Sequence, residues 1–280
     1  MKWCSKASGT GGVAGLLLAF ALLAAAAAPA QEAPASATAT TESQRQAAAA
    51  LKSMAEYLAS LKSFECTTSN GYETVQANGQ KVEFGETRRI SLARPDRLRI
   101  EEVASDGLRD LTLFDGKQIT AMSADLNVYA QAPQPPSIED ALVYFVRDLR
   151  MRAPLALLLS THVATELPAM AKDVDYVERT TIRGQAVHHV AGRSESVDFE
   201  FWIADDKKPL PLRVTISYKN VPGQPRFWAD FSDWKTKAKF SAKTFQFSVP
   251  PAARQIPFAV QLSVLGGAAP QVAAAGELKP

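Results

Sequence analysis

Apolar positions along the chain follow two different periods. In residues 43–64, "SQRQAAAALKSMAEYLASLKSF", they recur every three or four positions, which predicts an amphipathic helix capped by Ser43. From Phe64 to Pro133 the period is two, which indicates strands. Tight turns with positive φ favour Asn-Gly and Asp-Gly, and we expect turns at Asn70-Gly71, Asn78-Gly79, Asp106-Gly107 and Asp115-Gly116. The pattern therefore predicts one helix and then about five antiparallel strands.

A helical insertion interrupts the strands in the middle of the chain. The stretch "SIEDALVYFVRDLRM" begins with Ser137 as a cap and acidic residues in its first turn, and a second short helix with Pro154 in its first turn contains "LALLLS". Beyond Asp173 the alternation returns, and it is clearest in residues 212–218. The total is roughly ten strands, and a twisted antiparallel sheet of that size curls. The space beneath the helices could be a packed core or a cavity, and the pattern leaves both open.

The N-terminus has the layout of a secretory signal peptide. A short basic segment, "MKWCSK", precedes the apolar stretch "GGVAGLLLAFALLAAAAA" and an "APA" cleavage pattern that ends at Ala30. We predict a signal peptide at 1–30, a disordered linker at 31–42, a folded domain at 43–256 and a flexible tail at 257–280. The alternative is a retained membrane anchor, because the apolar stretch approaches spanning length.

Charge and cysteine content limit the partners of the exported chain. Removal of Lys2 and Lys6 with the signal leaves 29 basic residues against 29 acidic ones, so the chain has no electrostatic basis for binding nucleic acid. A bacterial lipoprotein signal needs its lipidated cysteine at the cleavage point, whereas Cys4 precedes the apolar stretch. We therefore expect an unlipidated periplasmic protein with no stable membrane anchor. Cys66 then remains without an intrachain partner, and burial as a small hydrophobe is favoured over a reactive thiol.

Catalytic and metal-binding patterns are scarce in this sequence. The three histidines, His162, His188 and His189, belong to no metalloprotease motif, and the chain lacks a Gly-x-Ser-x-Gly elbow. His188 and His189 are adjacent in a predicted strand, so they should point to opposite faces and not share a metal ion. We therefore expect no catalytic residue, no metal and no cofactor.

The order of elements and several local motifs resemble the LolA and LolB family of periplasmic lipoprotein carriers and its uncharacterised predicted periplasmic relatives. The motifs are "ARPDRLRI", "LFDGKQITAMSADLNVYAQ", "APLALLL" and "FSDWKTKAKFSAKTFQFSVPP", and the resemblance spans residues 43–251. It implies an α+β, mainly β fold, in which a strongly curved antiparallel sheet forms an incomplete barrel. The N-terminal helix and the central helical insertion would cover an apolar cavity that takes up acyl chains.

Five residues are candidates for ligand binding. By position, the resemblance assigns Arg94, directly before Pro95, to holding the helical lid, whereas a solvated or salt-bridged surface arginine is the alternative. Leu155, Leu158 and Leu159 lie in a run that is apolar around most of its helix, so they belong either to a lid or to plain core. Trp202 is a further candidate contact, although packing within the sheet is the competing interpretation.

Two functional classes follow from these features. The first is an exported carrier or envelope sensor that binds a lipid or lipoprotein acyl chain in an apolar cavity. The second is a non-catalytic interaction module whose LolA-like shell is filled and whose surface contacts an envelope protein. An enzyme is the least favoured class.

Overall fold

A computed structural model describes residues 41–133, 137–149, 153–170 and 173–258. The predicted signal peptide, nearly all of the predicted linker and most of the predicted tail lie outside the described residues. None of the helices in the described ranges combines the length and the hydropathy that a membrane span requires.

Twelve strands in the described residues form one curved, unclosed sheet, as the sequence predicts for the fold class. Their spatial order is β12-β6-β5-β4-β3-β2-β1-β11-β10-β9-β8-β7, and all neighbouring pairs are antiparallel except β12 with β6. β12 and β7 are the two edges. The strands are β1 (Ser63–Val75), β2 (Lys81–Ala93), β3 (Arg97–Ala104), β4 (Arg109–Phe114), β5 (Gln118–Ser123), β6 (Val128–Pro133), β7 (Asp173–Ile182), β8 (Gln185–Arg193), β9 (Val197–Ala204), β10 (Pro211–Tyr218), β11 (Arg226–Lys235) and β12 (Arg254–Gln255).

The N-terminal helix α1 (Glu42–Ser60) lies where the apolar period predicts it, but its cap is Thr41 and not Ser43. Thr41 Oγ1 accepts a hydrogen bond from the Gln44 amide, and the Gln44 side chain accepts one from the Thr41 amide. This reciprocal pair satisfies two amides that the first helical turn leaves free. Ser43 Oγ instead accepts a hydrogen bond from the Tyr176 amide at 3.0 Å, and this bond attaches the start of α1 to β7.

The predicted turn at Asn70-Gly71 is wrong, whereas the other three turn predictions are confirmed. Asn70 and Gly71 lie inside β1, paired with β2 on one side and β11 on the other. An added Cβ on Gly71 would lie 2.4 Å from the Trp228 ring, so glycine here admits a cross-strand indole. A glycine that serves close packing and a glycine that serves a turn are identical in the local sequence.

The part of the central insertion that the structure describes, residues 137–149 and 153–170, holds three short helices and a π-helical segment. They are α2 (Ile138–Val143), the π-helical segment (Tyr144–Asp148), α3 (Ala156–Leu159) and α4 (Val163–Met170). Ser137 caps α2 as predicted, through its Oγ and the Asp140 amide at 3.1 Å. Pro154 lies two residues before α3 and not in its first turn, and α4 was not predicted. We call α2, the π-helical segment and α3 together the helical cover.

The hydrophobic core lies between the concave face of the sheet and the helices. Alternate residues of each strand point into it, as Phe199, Phe201 and Ile203 of β9 do. Phe258, which the sequence interpretation placed in the tail, is also buried in this core. The α-helices and the π-helical segment therefore pack on the concave face, whereas the 3-10 helix Ala242–Phe245 approaches the convex face, where the Thr244 carbonyl accepts a hydrogen bond from Arg99 Nη1.

Candidate functional site

An apolar cavity lies between the concave face of the sheet and the helical cover. The sheet supplies two rows of side chains that cross β2 to β5, and the cover supplies the opposite wall. The lining residues are Arg88, Ile90, Leu98, Ile100, Thr112, Phe114, Ile119, Ala141, Leu142, Phe145, Ala153, Leu155, Ala156 and Leu159. Only Arg88 among them is charged.

The cavity is small in this conformation, at about 40 Å³. That volume has room for a few water molecules, whereas sites for drug-sized ligands have roughly 300–1,000 Å³. Leu155 and Leu159 line the cavity, and Leu158 is buried in the surrounding core without lining it. Leu155 and Leu159 therefore form part of the wall opposite the concave face, and the cavity in this conformation is too small for a long acyl chain.

Arg94 connects the end of β2 to the helical cover. Its Nε donates to the Leu61 carbonyl at 3.0 Å, and its Nη1 donates to Glu139 Oε1 of α2 at 3.3 Å. The side chain is 12% exposed and salt-bridged, so it is not solvated at the surface, and its role in holding a lid stays a prediction. Its Nη2 has no hydrogen-bond partner within the described ranges. The contact joins β2 to the cover by a largely buried ion pair.

Glu139 extends this connection to the loop after α3. Its Oε1 also accepts hydrogen bonds from the Thr161 amide at 3.0 Å and the Thr161 hydroxyl at 2.8 Å. Burial opposes ionisation of this carboxyl, but the Thr161 hydrogen bonds and the Arg94 charge outweigh it and hold the Glu139 pKa below its usual range. The Glu139 carboxylate thus joins the start of the cover, in α2, to Arg94 at the rim of the sheet and to Thr161 just after the end of the cover.

A polar cluster that the sequence analysis missed lies at the opposite end of the cavity. Its members lie on the concave face, where Thr68 is opposite Arg88 and Arg88 is opposite Glu102, with Asn70 opposite Glu86 in the adjacent row. Arg88 Nε lies 2.8 Å from Glu102 Oε2, and Arg88 Nη2 lies 2.7 Å from Glu86 Oε1. Because Ile90 is the next concave residue of β2 and lines the cavity, the cluster borders the apolar space directly.

Trp202 does not line the cavity. It points to the convex face of β9, where its ring stacks on His189 with a centroid distance of 4.1 Å. The Arg213 guanidinium lies 5.7 Å from the Trp202 ring and 5.5 Å from the Trp228 ring. The structure thus brings Leu155 and Leu159 together at the cavity, places Arg94 at the rim of the cover, and separates Trp202 from all of them.

The histidines and the remaining cysteine have separate environments. His188 Nδ1 is 3.0 Å from the Tyr176 hydroxyl, whereas His189 points to the convex face beside Glu200. Within the described ranges, no group of three or more His, Cys, Asp or Glu side chains has a metal-binding arrangement. Cys66 is a free, buried thiol of the concave face, and burial raises its pKa, which confirms the interpretation as a small hydrophobe.

Residues 47–259 match the family described as "Predicted periplasmic protein (DUF2092)". The chain belongs to this family. The description places its members in the periplasm, as the export signal predicts, and it confirms the expectation of a periplasmic protein. No curated protein matches the chain.

Several solved structures are similar to this member of the family at low identity. An uncharacterized conserved protein from Thermus thermophilus is 12% identical in sequence. The match covers 76% of this chain and 99% of that protein's chain, with a TM-score of 0.44. Lipoprotein LppX from Mycobacterium tuberculosis is 13% identical, with 71% and 100% covered and a TM-score of 0.46. MucB from Pseudomonas aeruginosa, in its complex with MucA, is 21% identical, with 72% and 61% covered and a TM-score of 0.38. These scores are too low to support an inference about function.

Proposed function

We propose that this protein binds the acyl chain of a lipid or lipoprotein beneath its helical cover, and that it acts as a carrier or an envelope sensor. The observation that carries the proposal is the composition of the cavity. Both of its walls are apolar, one formed by the sheet and the other by short helices. An acyl chain is the ligand class that an apolar wall of this kind fits, because the hydrophobic effect requires no polar partner.

The construction of the helical cover supports an opening motion. α2 has six residues, the π-helical segment five and α3 four, so each element alone is too short to be a stable helix in water. π-helical turns are rare and occur frequently at functional sites. The Arg94–Glu139 ion pair fastens the cover at its rim. Such a cover can leave the sheet as a unit while the hydrogen-bonded strands stay intact.

The free energies of acyl-chain burial and of cover opening favour reversible binding. Full burial of a chain of about sixteen carbons would contribute on the order of 12 kcal/mol at about 0.8 kcal/mol per methylene. Micromolar affinity corresponds to about 8 kcal/mol. The difference, about 4 kcal/mol, is available for opening the cover and exposing Leu155 and Leu159. A cavity that is small before binding is therefore compatible with a carrier that must release its ligand.

The small volume of the cavity favours a second candidate function. In that alternative the shell is filled by its own side chains, and the protein is a non-catalytic interaction module that binds an envelope protein through its surface. The two candidates differ in whether the cover opens for an apolar ligand.

Titration of the purified mature protein with a fluorescent sixteen-carbon probe tests the proposal. We expect saturable binding in the micromolar range, together with lipid recovered by mass spectrometry from organic extracts of the purified protein. Ala156→Phe should weaken binding at least tenfold because Ala156 lines the cavity. Leu157→Phe is the matched control, since Leu157 lies in the same helix and is only partly buried against the core. Absence of saturable binding by the wild-type protein would favour the interaction module.

A further inference from the structure

The polar cluster at the end of the cavity interrupts an otherwise apolar concave face. Along β1 the concave residues run Phe64, Cys66, Thr68, Asn70 and Tyr72, so two polar residues stand between apolar ones. Along β2 the two concave residues beside them are Arg88 and Glu86. Burial of polar groups in such a position costs free energy unless each has a hydrogen-bond partner.

The charges of the cluster do not balance. Arg88 is the one cation and contacts two carboxylates, Glu86 and Glu102, and Asn70 Nδ2 donates to Glu86 Oε1 at 3.1 Å. With both carboxyls ionised the cluster carries one net negative charge. Burial raises the pKa of Glu102, and the neighbouring Glu86 raises it further, although Arg88 acts in the opposite direction. The cluster thus holds two carboxyl groups against one guanidinium.

Two buried acceptors in the cluster have no hydrogen-bond partner. They are Thr68 Oγ1 and Asn70 Oδ1, in residues that are 0% and 1% exposed, and none of the described residues donates to them. Thr68 faces Arg88 across the strand pair, and Asn70 faces Glu86, so both side chains belong to the same patch of the concave face. Unpartnered buried polar atoms are rare in folded proteins because burial without a hydrogen bond costs free energy. Asn70 Oδ1 requires a hydrogen-bond donor, and the Thr68 hydroxyl oxygen can accept from one as well.

A donor with positive charge would complete this cluster. Building on the proposed function, we propose that the polar cluster binds the head group of the acyl ligand through three of its residues, Thr68, Asn70 and Glu102. We further propose that this head group is a primary ammonium. An ammonium carries three donors and one positive charge, so it can serve the unpartnered oxygens and balance the extra carboxylate. A fatty-acid carboxylate fits poorly, because Arg88 is already paired and a further anion would meet the net negative charge.

Competition among probes of one chain length tests the head-group assignment separately from acyl binding. Hexadecylamine, hexadecanol and palmitate compete with the fluorescent probe for the mature wild-type protein at pH 7.5, below the micelle concentration of each. We expect hexadecylamine to bind at least tenfold more tightly than palmitate, with hexadecanol between them. Glu102→Gln should reduce that preference to less than threefold. Glu101→Gln should leave it unchanged, because Glu101 lies on the convex face of the same strand and pairs with Arg99.

A second variant removes an acceptor without changing the charge. Thr68→Val keeps the shape of the side chain and should weaken hexadecylamine several-fold while palmitate binding stays the same. Equal binding of amine and carboxylate by the wild type, or tighter binding of palmitate, would overturn the head-group assignment while leaving acyl binding in place. A wild-type protein that binds none of the three probes would overturn the proposed function and this assignment together.

Discussion

Removal of the Arg94 side chain should release the helical cover and leave the sheet folded. Arg94 and Glu139 are 12% and 19% exposed, so their ion pair lies mostly out of solvent and contributes more than a surface pair does. Hydrogen bonds to charged groups contribute about 1.5–3 kcal/mol each, and loss of one partner of a fully buried pair costs about 3–5 kcal/mol. Because Glu139 keeps its two Thr161 hydrogen bonds, we expect Arg94→Met to cost about 2 kcal/mol.

This cost should appear as local opening. A loss of about 2 kcal/mol raises the opening equilibrium roughly thirtyfold, since about 1.4 kcal/mol is a factor of ten. Native-state hydrogen exchange measures the change in α2 and α3, with the β2–β3 amides as an internal reference. The double mutant Arg94→Met, Glu139→Gln should show a coupling energy of at least about 1 kcal/mol in a double-mutant cycle. Arg97→Met is the control, because Arg97 pairs with Asp96 on the surface of the same strand pair.

Two results would contradict this reasoning. If exchange in α2 were unchanged in Arg94→Met, the ion pair would not fasten the cover. If exchange rose equally in α2 and in the central strands, the cover and the sheet would unfold together, and the cover could not act as a lid. The expected outcome is a rise confined to the cover, with faster release of any bound acyl probe.

Three further predictions concern the sheet, the thiol and acid. Gly71→Ala should lower the free energy of unfolding by about 1–3 kcal/mol in a denaturant titration because its Cβ would meet the Trp228 ring, whereas Gly85→Ala, with 3.7 Å to the nearest atom, is the tolerated control. The Cys66 thiol should react with a thiol reagent in the mature protein only after unfolding, and rapid reaction of the native state would contradict its burial. Glu139 has a lowered pKa in the folded protein, so its stabilisation of the cover is present above the ordinary pKa of 4.5 and is lost as the pH falls through the pKa of the folded state. Hydrogen exchange in α2 should therefore become faster in acid, and Glu139→Gln should abolish that increase.

Local sequence patterns were sufficient to predict the N-terminal helix, one helix cap and three turns. The helix at 42–60, the cap at Ser137 and the turns at Gly79, Gly107 and Gly116 follow from period, capping and positive φ. The sequence could not reveal that Gly71 is paired on both sides, because the Trp228 ring that requires it is 157 positions away along the chain. The curvature of the sheet follows from strand number and twist, but which strands face the cover does not.

The polar cluster was missed because alternation was used to locate strands and not to assign every residue to a face. Counting in twos from the apolar Ile90 and Leu92 of β2 reaches Arg88 and then Glu86, which places both on the core-facing side. The same count on β1 reaches Thr68 and Asn70 from Cys66. A charged residue in phase with the core of one strand could be a local exception, but polar residues in phase on two neighbouring strands indicate a shared buried site. That signal is present in the sequence once the pairing of β1 with β2 through the Asn78-Gly79 turn is accepted, so register carries the information that composition and motif searches lack.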